Sequence, residues 1–253
     1  MAGFDDRFEQ NASSLDRWRP SYPAALYARL LEFGGGARFG AALDVGCGAG
    51  QSTDGLFAIA ESVTGLEPGD DLRAHAAERF PHAEFHGGTG EATGLPEDAF
   101  DLFAVGTALT WMETPRVLDE AARVLRPGGV FAAYAYDFPR LEGRADEVLR
   151  RHLPERWDEH RSPRLRSPEN VASLLDAHRA LRDARTLRVE NVIPMPLDAF
   201  VGFVRSTSFG SAYLRTLEEP EAYLATFRDE LAAEAGERLA VDFEITAHVA
   251  RNH

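Results

Sequence analysis

Residues 41–50 read Ala-Ala-Leu-Asp-Val-Gly-Cys-Gly-Ala-Gly. A short apolar run delivered straight into alternating glycines is the pattern of a buried strand that ends in a tight turn. Glycine lets the backbone turn sharply there, and it lets a ligand approach without meeting a Cβ. The spacing predicts a helix opening near Gln51 and Ser52, with its N-terminus facing the same point. A strand, a glycine turn and a helix in succession restrict the chain to folds in which parallel strands are joined by crossovers.

The remaining pattern agrees with that class. Upstream, Pro23 fits a first helical turn, Leu26, Leu30 and Leu31 fall on one face, and Gly34-Gly35-Gly36 stops the helix. Downstream, strands are predicted at 62–66, 83–86, 101–105 and 130–134, with helices at 70–79 and from Pro115 through Leu125 between them. Alternating strands and helices of these lengths specify an α/β fold with a doubly wound, mostly parallel sheet. Residues 138–166, rich in Arg, Glu, His and Pro, read as a helical cap insertion. A helix at 171–181, a strand at 187–193, helices at 197–205 and 221–235 and a last strand at 241–249 complete the chain. The economical division is one domain over 1–253, with 1–40 an N-terminal arm and helix.

Bulk properties narrow the function. The net charge of -14 opposes nucleic acid or an anionic membrane as the main partner, and no apolar run is long enough to span a bilayer. The single cysteine, Cys47, leaves no intramolecular disulfide and no zinc-ligand cluster, so no metal is expected. The chain begins without a basic end or an apolar run, so a cytoplasmic location is expected.

One acid and two turns carry the chemistry. Glu67 ends the second strand about twenty residues beyond the glycines, where an acid can accept both hydroxyls of a ribose. Gly88-Thr89-Gly90-Glu91 follows the third strand and can present a side chain and a backbone group to a base edge. The glycine spacing is G-x-G-x-G, with the third glycine one residue earlier than a dinucleotide fingerprint requires.

Taken together, these segments resemble class I S-adenosylmethionine (SAM) dependent methyltransferases, in particular the methyltransferase type 11 branch that includes trans-aconitate methyltransferase-like proteins. Residues 44–50 match the family's first motif, Glu67 its ribose acid and residues 88–91 its adenine segment. Ala122-Arg123-Val124-Leu125-Arg126-Pro127-Gly128-Gly129 matches its later signature, and Arg19-Pro20-Ser21-Tyr22-Pro23 the arm of that branch. The resemblance implies a Rossmann-like, seven-stranded sheet whose last strand is antiparallel. It implies SAM as cofactor and S-adenosylhomocysteine as product, with Asp44, Gly46, Cys47 and Gly48 at the methionine part, Glu67 at the ribose, and Thr89 and Gly90 at the adenine. Thr89 stands where the family often has Asp.

Residues 107–112 fall where the family places groups near the reactive methyl, Thr107 on the cofactor side. Relatives often read Ala-x-His-Trp there; this chain reads Ala108-Leu109-Thr110-Trp111, without the histidine. No general base is assigned, and this tilts the acceptor towards a small carboxylate, which needs none. Arg19, Tyr22, Trp111 and Tyr136 are candidates for the acceptor pocket. For Trp111 a buried core position is as compatible with the sequence, and for Tyr136 the sheet interior. His152 and His160 fit solvated positions better than catalytic ones. A protein of this fold that binds SAM without methylating, pericyclase-like or regulatory, is the principal alternative. An NAD-dependent dehydrogenase is opposed by the glycine spacing.

Overall fold

The structure, a computed structural model, describes residues 18–136, 138–153, 157–161 and 169–253. The arm before Trp18 and the remaining parts of the 138–166 insertion lie outside the described residues.

The chain opens with helix α1 (Ala24–Gly34), led by Pro23 at the N-cap, and then enters β1 (Phe39–Val45). There follow a one-turn helix α2 (Thr53–Leu56), β2 (Ala60–Leu66), α3 (Asp70–Arg79), β3 (Glu84–His86) and β4 (Phe100–Gly106). A 3-10 turn (Leu109–Trp111) leads to α4 (Thr114–Val124) and β5 (Leu125–Tyr136). The second half holds β6 (Arg140–Leu141), α5 (Arg144–His152), α6 (Val171–Ala177), β7 (Leu181–Val189) and β8 (Val192–Pro196). It ends with α7 (Leu197–Ser206), α8 (Ser208–Leu214), α9 (Pro220–Ala235), β9 (Arg238–Asp242) and β10 (Ile245–Asn252).

Seven strands form the main sheet in the order β3-β2-β1-β4-β5-β10-β7. β10 runs antiparallel to both of its neighbours, and the other pairings are parallel. The reversed last strand agrees with the expectation. Successive residues of the central strands face opposite layers, as the pleat requires. Ala42, Leu102, Ala104 and Val130 pack with Leu26 and Leu30 of α1, whereas Leu43, Phe103, Val105 and Phe131 pack with Val117, Leu118 and Ala121 of α4. β1 is flanked by β2 on one side and β4 on the other, so a crevice opens at their C-terminal ends, where the order reverses.

A third apolar cluster lies above that crevice. It joins Val148, Leu149 and Trp157 to Phe200, Phe203, Phe227 and Leu231 of α7 and α9. A three-stranded antiparallel sheet, β6-β9-β8, supports it. This layer therefore draws on two stretches of chain, not on the 138–166 insertion alone.

Several predicted boundaries are corrected. The strand expected at 187–193 is two strands in different sheets, β7 and β8, with a break at Glu190 and Asn191. The strand expected at 241–249 likewise divides between β9 and β10. The helix expected at 171–181 stops at Ala177, and Leu181 already begins β7. Pro127-Gly128-Gly129 does not precede β5 but lies within it: Phe100 pairs with Leu125 and Leu102 with Val130, so the intervening residues bulge from the ladder. The helix expected from Gln51 shrinks to one turn beginning at Thr53.

The C-terminal strand also closes α4. The buried Asn252 amide donates to the carbonyls of Ala122 (3.0 Å), in the last turn of that helix, and of Leu125 (2.7 Å), the residue that follows it. Asn252→Ala should lower the unfolding free energy by about 1–3 kcal/mol. Urea unfolding would show a lower midpoint with an unchanged m value.

Candidate active site

The crevice holds a cavity of about 830 Å³, within the range of small-molecule and cofactor sites. Four strand ends supply its floor. Gly46, Cys47 and Gly48 follow β1, Glu67 follows β2, Thr107 follows β4 and Tyr136 ends β5; all line the cavity with Thr89. Arg19 and Tyr22 of the N-terminal arm form one wall, and Phe138, Phe203 and Phe209 beneath the upper layer form another.

The glycine turn is built for close approach. Gly46 has φ +64°, and a Cβ there would lie 2.6 Å from the Ala108 methyl, so the β1 and β4 loops touch only because this side chain is absent. Gly48, also left-handed, points its amide at Glu67 Oε2 (3.0 Å). The other carboxylate oxygen, Oε1, accepts from Gly69 N (3.0 Å). Glu67 is 5 % exposed, so its carboxylate is fixed by two backbone amides at the cavity edge. Because α2 is one turn long and starts at Thr53, these loop amides, and not a helix dipole, set the local field.

Asp44 sits below the turn, 0 % exposed. Its Oδ2 accepts from Thr53 Oγ1 (2.6 Å), and Oδ1 has no hydrogen-bond partner among the described residues. Burial pushes its pKa up to about 7; the Thr53 and Ser52 hydroxyls oppose the shift, and the nearby Glu67 charge adds to it. Burial raises the Cys47 thiol as well, so the thiol stays protonated and is no nucleophile at neutral pH.

At the end of β4, Thr107 adopts φ +60°, an outlier for a β-branched residue. Two contacts hold it there: its amide donates to Tyr134 O (2.8 Å), and its hydroxyl meets the Tyr22 hydroxyl at 2.5 Å. Tyr22 also meets the Tyr134 ring edge-on at 4.9 Å between centroids. Burial raises the pKa of Tyr22, which keeps that hydroxyl neutral. The arm is thus tied to the sheet at the cavity mouth.

The predicted site residues separate into two groups. Arg19, Tyr22, Gly46, Cys47, Gly48, Glu67, Thr89, Thr107, Trp111 and Tyr136 line the cavity together. Asp44 and Gly90 do not: Asp44 is beneath the turn, and Gly90 is buried where a Cβ would strike Met112 and Val45. Trp111 and Thr110 are partly exposed on the 3-10 turn and both line the cavity. His152 is not solvated as expected; it is 4 % exposed, with Nδ1 at 2.6 Å from the Tyr223 hydroxyl and Nε2 at 3.2 Å from Glu230. Neither His152 nor His160 lines the cavity.

Sequence reasoning missed Phe138, Phe203, Phe209 and Arg161 on the lining. It also missed the hydroxyl set under the turn, where Ser52 Oγ meets the Tyr134 hydroxyl at 2.5 Å and Tyr27 donates to Ser52 O (3.1 Å). The aromatic spacing of α7 signals a buried face but not which cavity that face borders. Among the described residues no group of His, Cys, Asp and Glu could hold a metal ion, and no helix is long and apolar enough to cross a membrane.

Residues 43–133, which contain most of these loops, match a family model described as a methyltransferase domain. The chain is 29 % identical over 143 residues to a protein assigned as a methyltransferase in Dictyostelium discoideum, covering 56 % of this chain and 54 % of that protein. It is 26 % identical over 130 residues to a Saccharomyces cerevisiae protein assigned as a SAM-dependent methyltransferase, covering 49 % and 44 %. The matches thus span about half the length of these curated relatives. Among solved structures, one assigned as a type II methyltransferase from Anaeromyxobacter dehalogenans superposes with TM-score 0.75 and 31 % identity. That alignment covers 92 % of this chain and 97 % of the other.

The raised Asp44 pKa has a definite sign. The folded state binds the Asp44 proton more tightly than the unfolded state, so this group favours folding below about pH 4, and that contribution fades as pH rises towards 7. Wild type should therefore gain stability relative to Asp44→Asn when pH falls from about 8 to about 5. Urea unfolding of both proteins across that range checks it; parallel pH profiles would show that Asp44 ionises normally.

Proposed function

The chain belongs to the class I SAM-dependent methyltransferases, and from that premise we propose that it transfers the methyl group of SAM to a small-molecule acceptor, with a carboxylate oxygen as the favoured nucleophile. The observation that carries the proposal is the Glu67 carboxylate, fixed by the Gly48 and Gly69 amides at the edge of a cavity whose floor is the glycine turn. An acid at this strand end is suited to accept from a ribose hydroxyl.

The residues present fit the cofactor. The unpartnered Oδ1 of Asp44 is a buried acceptor beneath the turn, where its charge can favour a cationic group in the cavity without touching it. Gly46, Cys47 and Gly48 offer backbone at the methionine end, and Thr89 lines the region assigned to adenine, with Gly90 shaping the wall behind Met112. Thr107 joins the arm to the floor through Tyr22. When bound, SAM supplies a methyl carbon made electrophilic by its sulfonium, so the protein supplies no covalent chemistry of its own.

What the protein contributes is position and dryness. Trp111 and Tyr136 both line the cavity, Tyr136 beside Arg19, Tyr22 and Phe203, and their rigid aromatic faces can orient an acceptor and exclude water. No histidine is among the described lining residues, and Thr110 stands where the family resemblance implies a histidine. A threonine hydroxyl has no useful basicity at neutral pH. A carboxylate acceptor, ionised already, suits such a site. The reading is of one domain over 1–253 with a cap above the crevice, acting on small molecules in the cytoplasm without a metal and without nucleic acid or membrane as partner.

Incubation with methyl-labelled SAM and panels of carboxylic acids, phenols and amines tests the proposal; label should enter the acids preferentially, with S-adenosylhomocysteine as co-product. Turnover confined to amines or phenols would overturn the acceptor class, and SAM binding without turnover of any panel would favour a non-methylating role.

Glu67→Gln should raise the SAM dissociation constant at least about tenfold, because charged hydrogen bonds contribute about 1.5–3 kcal/mol each. Glu67→Ala should lose as much affinity and also some stability, since it strands the Gly48 and Gly69 amides. Calorimetry showing wild-type affinity in a folded Glu67→Gln variant would remove Glu67 from the cofactor site.

Thr110→Val should retain substantial turnover. Trp111→Ala should lose turnover or acceptor selectivity while keeping SAM affinity. A Trp111→Ala protein that melts earlier but methylates normally per folded molecule would place Trp111 in a purely structural role.

A further inference from the structure

Arg19 is held between two anchors. On one side the Trp18 ring packs against α7, where a Cβ on Gly202 would come within 2.6 Å of it. On the other, Tyr22 is tied to Thr107. The guanidinium between them lines the cavity and lies over the Phe203 ring, 5.7 Å from its centroid. Its hydrogen bonds are long and to neutral oxygens: 3.4 Å to the Tyr136 hydroxyl and 3.3 Å to the Ser206 carbonyl.

Among the described residues, Arg19 has no carboxylate at ion-pair distance, and its buried Nε has no hydrogen-bond partner. The lining acids are engaged elsewhere: Glu67 with loop amides, Glu91 with Glu113 N (2.9 Å), and Glu113 with Arg116 (3.7 Å). Arg161, the other guanidinium beneath the upper layer, sits over Phe209 and pairs with Asp158 at 3.2 Å. A partly buried cation without a counter-charge is costly, and a planar guanidinium fork matches the two oxygens of a carboxylate or phosphate.

We propose that Arg19 is a specificity-determining residue that reads an anionic group on the acceptor, at the end of the cavity walled by Tyr136 and Phe203. This rests on the reading that SAM occupies the glycine-turn end of the same cavity. Carboxylate and phosphate share the required chemistry, and aromatic walls favour an anion borne on an apolar or aromatic body.

The test uses benzoate, phenyl phosphate and benzamide as probes, titrated calorimetrically into the 253-residue chain with and without saturating S-adenosylhomocysteine. At least one of the two anions should bind about tenfold or more tightly than neutral benzamide, as expected for a charge-assisted bidentate contact. Which anion wins identifies carboxylate or phosphate. Arg19→Gln should abolish the preference and Arg19→Lys should restore part of it, both leaving S-adenosylhomocysteine affinity unchanged. Equal binding of benzamide and both anions, or no measurable binding of any probe, would overturn the proposal, as would a preference that survives in Arg19→Gln. The wild-type comparison needs no variant to fold. Failure of S-adenosylhomocysteine to bind would instead overturn the cofactor reading, while the anion preference is still read from the titrations without it.

Discussion

The Glu67 carboxylate accepts one amide hydrogen from the loop after β1 and another from the loop after β2. Two adjacent parallel strands end at the same level, and their loops, already joined by the Gly46 and Cys47 amides on Leu66 O, each point a further amide at Glu67. One buried acid gathers both. It compensates those amides and sets the edge of the cavity. The same placement puts two acids, Asp44 and Glu67, near one another with little solvent, and the repulsion contributes to the raised Asp44 pKa. The site is therefore electrostatically primed for a cation, while the wall formed by Tyr136 and Phe203 presents the Arg19 guanidinium.

Around this point the fold distributes its tasks by layer. The sheet supplies fixed strand ends, with α1 and α4 burying opposite faces of β1 and β4. The upper layer supplies aromatic walls from α7 and α8, and it has its own core and its own small sheet. The arm from Trp18 to Tyr22 touches both, through Gly202 above and Thr107 below. The strained backbone of Thr107 is held by that junction, so the geometry at the cavity mouth depends on the arm being seated.

The parts of this arrangement that were legible in the sequence are those governed by local rules. Glycines after an apolar run, the acid at the next strand end and the Pro115-led helix depend on backbone conformation and period, and the structure has strands and helices at those places. What was not legible depends on partners distant in sequence. Residues 187–193 are continuously strand-like, yet the main sheet takes Val189 opposite Ile245 and the small sheet takes Val192 opposite Asp242. The bulge at 126–129 is set by the register of β4 against β5, which no local signal encodes. Phe203 and Phe209 read only as apolar residues, and their position on the lining follows from how α7 and α8 dock. His152 looked solvated because its neighbours are arginines, but Tyr223 and Glu230, more than seventy residues away, enclose it.

The central claim is that Glu67 and the glycine turn together form a nucleoside-cofactor site. A crystal structure of the protein grown with S-adenosylhomocysteine tests it most directly. The account predicts the ligand in the cavity with both ribose hydroxyls within hydrogen-bond distance of Glu67, about 2.5–3.0 Å, and its amino-acid end over Gly46 to Gly48. A ligand bound elsewhere, or one whose ribose does not touch Glu67, would contradict it.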